Sequence, residues 1–359
     1  MKNSSSIQNK ENSVAFLASL CLFLAAIEFA IPKPLPFMRV GLANMPIVIG
    51  LYLLSWEKTL LLMLLKVFCQ GILTGTLFSY VFLFSLAGSL ASVFAMLAVQ
   101  RSLGRLSLVS PIGVSLTGSF ASTCAQLFLS RFLLFGASVQ YVAPVLLISG
   151  TFTGCILGFF SAVFMIRSKW FHMCLKQSQK NMSCRAYSPD PLLHNRFLNK
   201  PSLHKSICLF FLLLAGGGML FFQKNMLVLW TTVLVFAICT YFRKKRLRVI
   251  TPFIIFLTVT VLNLFPAQGK IIYVIGSIKI TEGALFFALQ RSGILLGMVF
   301  LSQATISSSI YLPGRLGQLF STILYYYEEL TTHKIQCKKT NKTFETIIDK
   351  IDSRLLAVY

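Results

Sequence analysis

YVFLFSLAGSLASVFAMLAV, residues 80–99, is a segment of twenty residues without a charged side chain. A helix of about 20 apolar residues crosses the hydrocarbon core of a bilayer, so this segment predicts a transmembrane helix. The whole chain shares this character, since 56% of its 359 residues are hydrophobic and 12% are charged. Soluble globular proteins carry about 25% charged residues. The composition therefore excludes a cytosolic enzyme and also a disordered chain.

Other apolar stretches predict an all-α polytopic membrane protein with six spans before a polar segment and about four after it. The predicted spans are Val14–Ile31, Leu42–Leu54, Thr59–Phe78, Tyr80–Val99, Leu108–Phe135, Tyr141–Ile166, Ile207–Phe222, Met226–Phe242, Val249–Phe265 and Gly293–Leu312. The expected domains are a six-helix substrate-binding membrane domain (1–166), a basic linker (167–206), a second membrane domain (207–330) and a basic tail (331–359).

The distribution of basic residues predicts the orientation in the membrane. If the N-terminus is inside, 25 Lys and Arg residues fall in inner segments and 6 in outer segments. This asymmetry follows the positive-inside rule. We therefore expect a multi-pass protein of the cell (inner) membrane with a cytoplasmic N-terminus, linker and C-terminus. The net charge of +23 is explained in this way, so membrane lipids are expected partners and nucleic acid is not.

Polar side chains at a helical spacing mark the third predicted span. Lys66, Gln70 and Thr74 recur every four residues and share one face of a helix. A lysine at membrane depth costs a few kcal/mol, which favours an interior-facing functional stripe. The alternative is a snorkelling lysine beside ordinary interhelical hydrogen bonds. Glu28, near the outer end of the first span, is either the rim of a site or an interfacial carboxylate.

Two irregular segments on the predicted outer face indicate the mouth of a site. They read IPKPLPFMRVGLAN (31–44) and GILTGTLFS (71–79). Irregular backbone at membrane depth is tolerated where it is buried in protein or lines a cavity. Arg39, together with Lys66, favours an anionic group there.

A second polar stripe runs along the fifth predicted span, where it either lines the site or joins helices. Its members are Ser115, Ser119, Ser122, Gln126 and Ser130. The expected substrate-binding residues are Glu28, Arg39, Asn44, Lys66, Gln70, Thr74, Thr76, Ser79 and Gln126.

Several chemical signatures are missing from the sequence. There is no G-x-x-x-x-G-K-[ST] motif for ATP, and no C-x-x-C pair for zinc. The three aspartates Asp190, Asp349 and Asp352 do not form the carboxylate cluster that Mg²⁺-diphosphate chemistry requires. We therefore predict no catalytic residues, no metal site, no cofactor and no enzymatic activity of the chain itself.

The first ~165 residues, a length typical of one domain, resemble the membrane family called heptaprenyl diphosphate synthase component I, also labelled Gx transporter. The matching positions are Glu28, Ile31-Pro32, Pro34, Arg39-Val-Gly-Leu-Ala-Asn44, Gly71, Thr74-Gly-Thr-Leu-Phe-Ser79, Phe82-Leu83 and Ser85-Leu-Ala-Gly88. That family is similar to the substrate-binding S component of energy-coupling-factor (ECF) transporters. The resemblance implies a six-helix bundle whose first loop gates an outward-facing site.

The second half has a less extensive resemblance to the T component, the membrane scaffold of ECF transporters. The similar positions are Ile280-Thr-Glu-Gly-Ala284, Arg291 and Pro313-Gly-Arg-Leu316. This resemblance implies a fusion of S and T components, with Arg315 as the residue that couples to the ATPase. The residues after Arg315 place Leu316, Leu319, Phe320 and Ile323 on one face of a predicted interfacial helix.

Three functions follow from these patterns and resemblances. The first is the membrane component of an ECF-type uptake transporter, which binds a small anionic or amphipathic substrate and relies on separate cytoplasmic ATPase subunits. The second is a non-catalytic membrane subunit, component I, of a heptaprenyl or polyprenyl diphosphate synthase. The third is a lipid or assembly scaffold without transport. A polar stripe in the first six helices favours the first.

Overall fold

The computed structural model describes residues 2–30, 41–74, 76–77, 79–103, 110–136, 139–179, 215–220, 223, 225–244, 250–264, 271–275, 278–305, 315–332 and 352–353. Its N-terminal part contains seven helices within these ranges, together with a short 3₁₀ turn (Leu42–Asn44). They are α1 (Lys2–Ala30), α2 (Met45–Leu53), α3 (Trp56–Thr74), α4 (Tyr80–Leu103), α5 (Pro111–Ser130), α6 (Val139–Arg167) and α7 (Lys169–Gln179). The predicted helical membrane fold is thereby confirmed.

By length and composition, four helices within the described ranges are able to cross a membrane: Tyr80–Ser102, Pro111–Leu133, Val139–Arg167 and Glu282–Ala304. Shorter apolar helices cover Ser13–Glu28, Leu42–Leu53 and Met226–Phe242. The predicted second span is thus a turn followed by the nine-residue α2, too short to cross a bilayer alone.

Helices α4, α5 and α6 pack closely because small residues line their contacts. A methyl group at Gly154 of α6 would lie 2.7 Å from Ser119 Cβ, and the Ser115 hydroxyl of α5 donates to the Gly154 carbonyl oxygen at 3.0 Å. On the other side of α5, Gly118 lies against Met96 and Ser92 of α4. Small residues allow such close approach of helices within a membrane. The serines predicted as a stripe on α5 therefore join helices at these positions.

Within the described residues of its second part, the chain has three longer helices and a short β-hairpin, which is a local addition to the helical fold. The helices are α8 (Met226–Lys244), α9 (Ile250–Leu264) and α10 (Glu282–Thr305), and residues 215–220 are also helical. Strands β1 (Ile271–Ile275) and β2 (Ile278–Thr281) pair antiparallel. Both strands are rich in β-branched residues, which favour pleated structure. Helix α10 also begins eleven residues before the predicted span Gly293–Leu312.

The two parts of the chain are in contact through an apolar cluster, among other described contacts. Tyr80 at the start of α4 forms a buried cluster with Val259 of α9 and with Leu295 and Val299 of α10. This contact brings the start of α4 against α9 and α10. The described contacts join residues on both sides of the predicted linker (167–206). The division of the chain into two domains therefore stays a prediction.

A further helix, α11 (Arg315–Thr332), packs along α1. Its buried residues Phe320, Ile323, Tyr326 and Leu330 share one face, as the spacing of three and four residues requires. The predicted apolar face therefore exists at Phe320 and Ile323, and it is covered by protein. Helix α7, at the start of the predicted linker, also packs into the same core through Trp170 and Phe171.

Candidate functional site

A buried lysine on α3 is the centre of the candidate site. Lys66 lies ten residues into α3, and only 4% of its surface is exposed. Its Nζ donates a hydrogen bond to Oδ1 of Asn44, which precedes α2. A buried ammonium group requires such polar partners because burial removes its hydration. The structure thus joins two predicted site residues that are 22 positions apart in the sequence.

A tight turn places the Asn44 side chain at Lys66. Gly41 has φ +84° and ψ 11°, the left-handed conformation. The Asn44 N–H donates to the Gly41 carbonyl oxygen at 2.7 Å and closes the turn. Pro46 then stands in the first turn of α2, where its missing N–H has no cost. The sequence GLANMP therefore fixes the entry to α2 and, with it, the position of the Asn44 amide.

We expect Gly41→Ala to destabilise this turn by about 1–2 kcal/mol, the cost of the left-handed conformation for an L-residue. Space is not the obstacle, because an added Cβ would have only the Asn44 Nδ2 atom nearby, at 3.6 Å. The measurement is the thermal unfolding midpoint in detergent. Gly41→Asn is the matched control, since asparagine enters this conformation more readily. An equal decrease of the unfolding midpoint in both variants would show that the positive φ angle at residue 41 is not the cause.

The polar face of α3 continues from Lys66 into the turn before α4. One helical turn after Lys66, Gln70 has a buried side-chain oxygen, Oε1, without a hydrogen-bond partner among the described residues. The Thr74 hydroxyl donates to the Gln70 main-chain oxygen at 2.7 Å and bonds the Thr76 hydroxyl at 2.7 Å. The Ser79 hydroxyl donates to the Thr76 carbonyl oxygen at 2.8 Å. These side chains form a continuous polar segment.

Helix α1 encloses the site from another side. It packs against α3 and against the turn Leu42–Asn44. Cys21 of α1 is fully buried. Glu28, two turns further along α1, is 6% exposed, so this predicted rim residue is a buried carboxylate. We refer to Asn44, Lys66, Gln70 and Thr74 together as the Lys66 cluster.

Three predicted residues are not part of the contacts described above. Arg39 lies outside the described residues. Gln126 is on α5, where its Nε2 donates to the Ser122 hydroxyl at 3.2 Å, and both side chains face Gly88 of α4. Its observed contacts are therefore those of helix packing. Arg315 is the first residue of α11, and its backbone alone is described.

A polar contact between the two parts of the chain had not been predicted. Arg291 of α10 donates from Nη1 to Oδ1 of Asn263 of α9 at 3.0 Å. A methyl group at Gly136, after α5, would lie 3.2 Å from the same Nη1. The sequence signal was a single asparagine within the apolar run of α9, which indicates an interhelical hydrogen bond. Only the fold identifies Arg291 as its partner.

The Lys66 cluster offers a buried cation, amide groups and hydroxyls. These groups hydrogen-bond an anionic or carbonyl-bearing molecule, whereas they do not supply a nucleophile paired with a base. Within the described ranges, no three His, Cys, Asp or Glu side chains converge to hold a metal ion. The arrangement is thus suited to binding.

Comparisons with known proteins agree with the architecture of the first half. Residues 17–164 match the family model "Heptaprenyl diphosphate synthase component I". Residues 198–308 match "Domain of unknown function (DUF8519)". No curated protein and no solved structure matches the chain. Residues 17–164 of this membrane protein are therefore similar to the heptaprenyl diphosphate synthase component I family, as the resemblance in the sequence had indicated.

Proposed function

We propose that the chain is the membrane component of an ECF-type uptake transporter, which binds a small anionic or amphipathic molecule at the Lys66 cluster. The observation that carries the proposal is the buried Lys66 ammonium group with Asn44 as its partner. Burial of a charge among membrane helices costs a few kcal/mol. An apolar side chain at this position would avoid that cost. The presence of a lysine therefore favours a binding role.

The Gln70 side chain adds to this argument. Its buried Oε1 has no hydrogen-bond partner among the described residues. An unsatisfied buried acceptor costs about 1–3 kcal/mol. A bound molecule that donates a hydrogen bond to Oε1 and receives one from Lys66 removes that cost. An amphipathic molecule with a carboxylate and a hydroxyl or amide group has this pattern.

Mass spectrometry of small molecules that co-purify with the protein tests the proposal. We expect one compound of this class to be enriched over a mock purification, and to be released on denaturation. A protein that is folded and monodisperse yet carries no small molecule would favour the scaffold role instead.

Transport in this proposal requires ATPase subunits, because the sequence has no phosphate-binding loop of its own. We place the contact with them at Arg315, at the start of α11. Arginine binds carboxylates through two parallel hydrogen bonds, which lysine does not reproduce.

We expect Arg315→Lys to bind ligand normally and to lose most uptake and most of the co-purifying ATPase. The charge and topology are retained in this variant, so only the planar hydrogen-bonding fork is lost. Uptake by whole cells and the quantity of co-purified ATPase are the measurements. Arg185→Lys, the same exchange in the basic linker, serves as the control. Full uptake by Arg315→Lys would show that Arg315 contributes only a positive charge, which orients the protein in the membrane.

The second candidate is a non-catalytic membrane subunit of a heptaprenyl or polyprenyl diphosphate synthase. The family match over residues 17–164 favours it. A separate catalytic subunit is required in this case, because the sequence lacks a carboxylate cluster. Asp352 instead accepts hydrogen bonds from the first two backbone N–H groups of α7. Identification of the proteins that co-purify separates the candidates. An ATPase with a phosphate-binding loop supports transport, and an aspartate-rich prenyl synthase supports the second candidate.

A further inference from the structure

A buried tyrosine joins the first turn of α4 to the second part of the chain. Tyr80 is 7% exposed and packs with Val259 of α9 and with Leu295 and Val299 of α10. Leu295 and Val299 are four residues apart, so they share one face of α10. The ring of Phe84, one turn further along α4, lies edge-on to the Tyr80 ring at 6.3 Å between centroids. We refer to Tyr80, Val259, Leu295 and Val299 as the Tyr80 cluster.

The residues just before Tyr80 are hydrogen-bonded back to α3. The Ser79 N–H and hydroxyl both donate to the Thr76 carbonyl oxygen, at 3.0 and 2.8 Å. The Thr76 N–H donates to the Gly71 carbonyl oxygen at 2.8 Å, and the Thr76 hydroxyl bonds that of Thr74 at 2.7 Å. Ser79 is buried, with 1% of its surface exposed. A continuous set of hydrogen bonds therefore runs from Ser79 to the end of α3.

Apolar packing follows the same route. A methyl group at Gly71 of α3 would lie 3.0 Å from Leu77 Cδ1 and 3.2 Å from Phe82 Cδ2. The ring of Phe82, in the first turn of α4, lies 5.4 Å from that of Phe68 on α3, measured between centroids. Closely packed groups transmit displacements to their neighbours. A shift of the start of α4 is therefore felt at the end of α3.

We infer that Tyr80 is a positioning residue, through which the second part of the chain holds the end of the Lys66 cluster in place. Thr74 is the member of that cluster bonded to Thr76, and Ser79 connects Thr76 to Tyr80. Loosening of the Tyr80 cluster loosens these bonds and, with them, the polar face at the end of α3. The second part of the chain thereby sets the affinity of the candidate site, a consequence that rests on the proposed function.

The test truncates a side chain in the second part of the chain and measures hydrogen bonds in the first. Leu295→Ala in the full-length protein removes packing from the Tyr80 cluster and changes no residue of α3 or α4. We expect the N–H groups of Thr76 and Ser79 to exchange with deuterium about tenfold faster than in the wild type, because local opening controls such exchange. The measurement is hydrogen–deuterium exchange in detergent, with overlapping peptides over residues 70–84.

Leu229→Ala is the matched control. Leu229 of α8 is fully buried in a separate apolar cluster, and it meets α10 at Gly293. Gly293 and Leu295 are two positions apart, so they lie on opposite sides of α10. Both truncations remove a buried leucine from the second part of the chain, but Leu295 is the one that packs with the start of α4. We therefore expect wild-type exchange at Thr76 and Ser79 in the control.

Two further measurements extend the test. Val299→Ala is a smaller truncation of the same cluster, and it should give a smaller increase of exchange at the same two N–H groups. It decides the question if Leu295→Ala does not fold. The amount of co-purifying small molecule should fall severalfold in Leu295→Ala and remain as in the wild type in Leu229→Ala.

The inference and the proposed function fail through different results. Wild-type exchange at Thr76 and Ser79 after truncation of the Tyr80 cluster would overturn the inference. Equal increases in Leu295→Ala and Leu229→Ala would also overturn it, because a general loss of stability would then explain both. Faster exchange with an unchanged amount of bound molecule would show that Tyr80 holds α4 without influence on the site. A wild-type protein that carries no small molecule would instead contradict the proposed function, while the exchange rates still decide whether Tyr80 positions Thr74.

Discussion

Lys66→Leu should lower the amount of co-purifying small molecule about tenfold or more, because a charge-assisted hydrogen bond contributes about 1.5–3 kcal/mol. The variant should still insert into the membrane and be at least as stable as the wild type. The physical reason is that leucine removes a costly buried charge from α3. Mass spectrometry of the bound fraction and the unfolding midpoint in detergent are the two measurements.

Lys58→Leu is the matched control for this change. Lys58 lies in the first turn of the same helix and is partly exposed, so its removal alters the charge of α3 without altering the Lys66 cluster. We expect the control to retain the molecule. If Lys66→Leu also retains it in full, Lys66 is a structural partner of Asn44 and the binding site lies elsewhere.

Gly158→Ala should destabilise the bundle by about 1–3 kcal/mol, the usual cost of overpacking a close contact. The added Cβ would lie 2.7 Å from Ile112 Cα and 3.1 Å from the Ile112 carbonyl oxygen. Those atoms belong to the backbone of α5, so no side-chain rotation relieves the clash. Helices α5 and α6 must move apart, which also strains the bond from Ser115 to the Gly154 carbonyl oxygen.

The thermal unfolding midpoint in detergent measures this effect, with Gly217→Ala as the control. Gly217 lies in the helical segment 215–220, and an added Cβ there meets no atom of the described residues within 4 Å. Alanine at that position should be neutral or stabilising, because alanine has a higher helix propensity than glycine. Similar midpoints for Gly158→Ala and the wild type would mean that α5 and α6 are further apart than the structure shows.

The sequence predicted the apolar helices well where hydrophobic length alone decides the structure. The run Tyr80–Val99 is helical over Tyr80–Leu103, and Tyr141–Ile166 is helical over Val139–Arg167. The family of the first half was also correctly identified from its motifs. These features depend on the composition and residue spacing of a window of about 20 residues, so they can be predicted without knowledge of distant contacts.

In the second half of the chain, charged residues inside helices made the prediction of helix bounds from apolar runs less accurate. Arg291 made the last span appear to begin at Gly293, whereas α10 begins at Glu282. The buried contact with Asn263 satisfies the guanidinium group within the helix. The hairpin of β1 and β2 was also missed. Strand β1 is a short apolar run without alternation, and β2 alternates over only four residues, so periodicity does not separate either strand from a short helical segment.

By itself the sequence determined a helical membrane protein, the resemblance of residues 17–164 to a known family and the shared face of Lys66, Gln70 and Thr74. Tertiary structure alone decided which groups meet. It brings Asn44 to Lys66 through the turn at Gly41, turns the α5 serines toward helix contacts, and places Asp352 on α7. Helical periodicity relates residues three or four positions apart, whereas contacts across 22 or 182 positions depend on how whole helices pack.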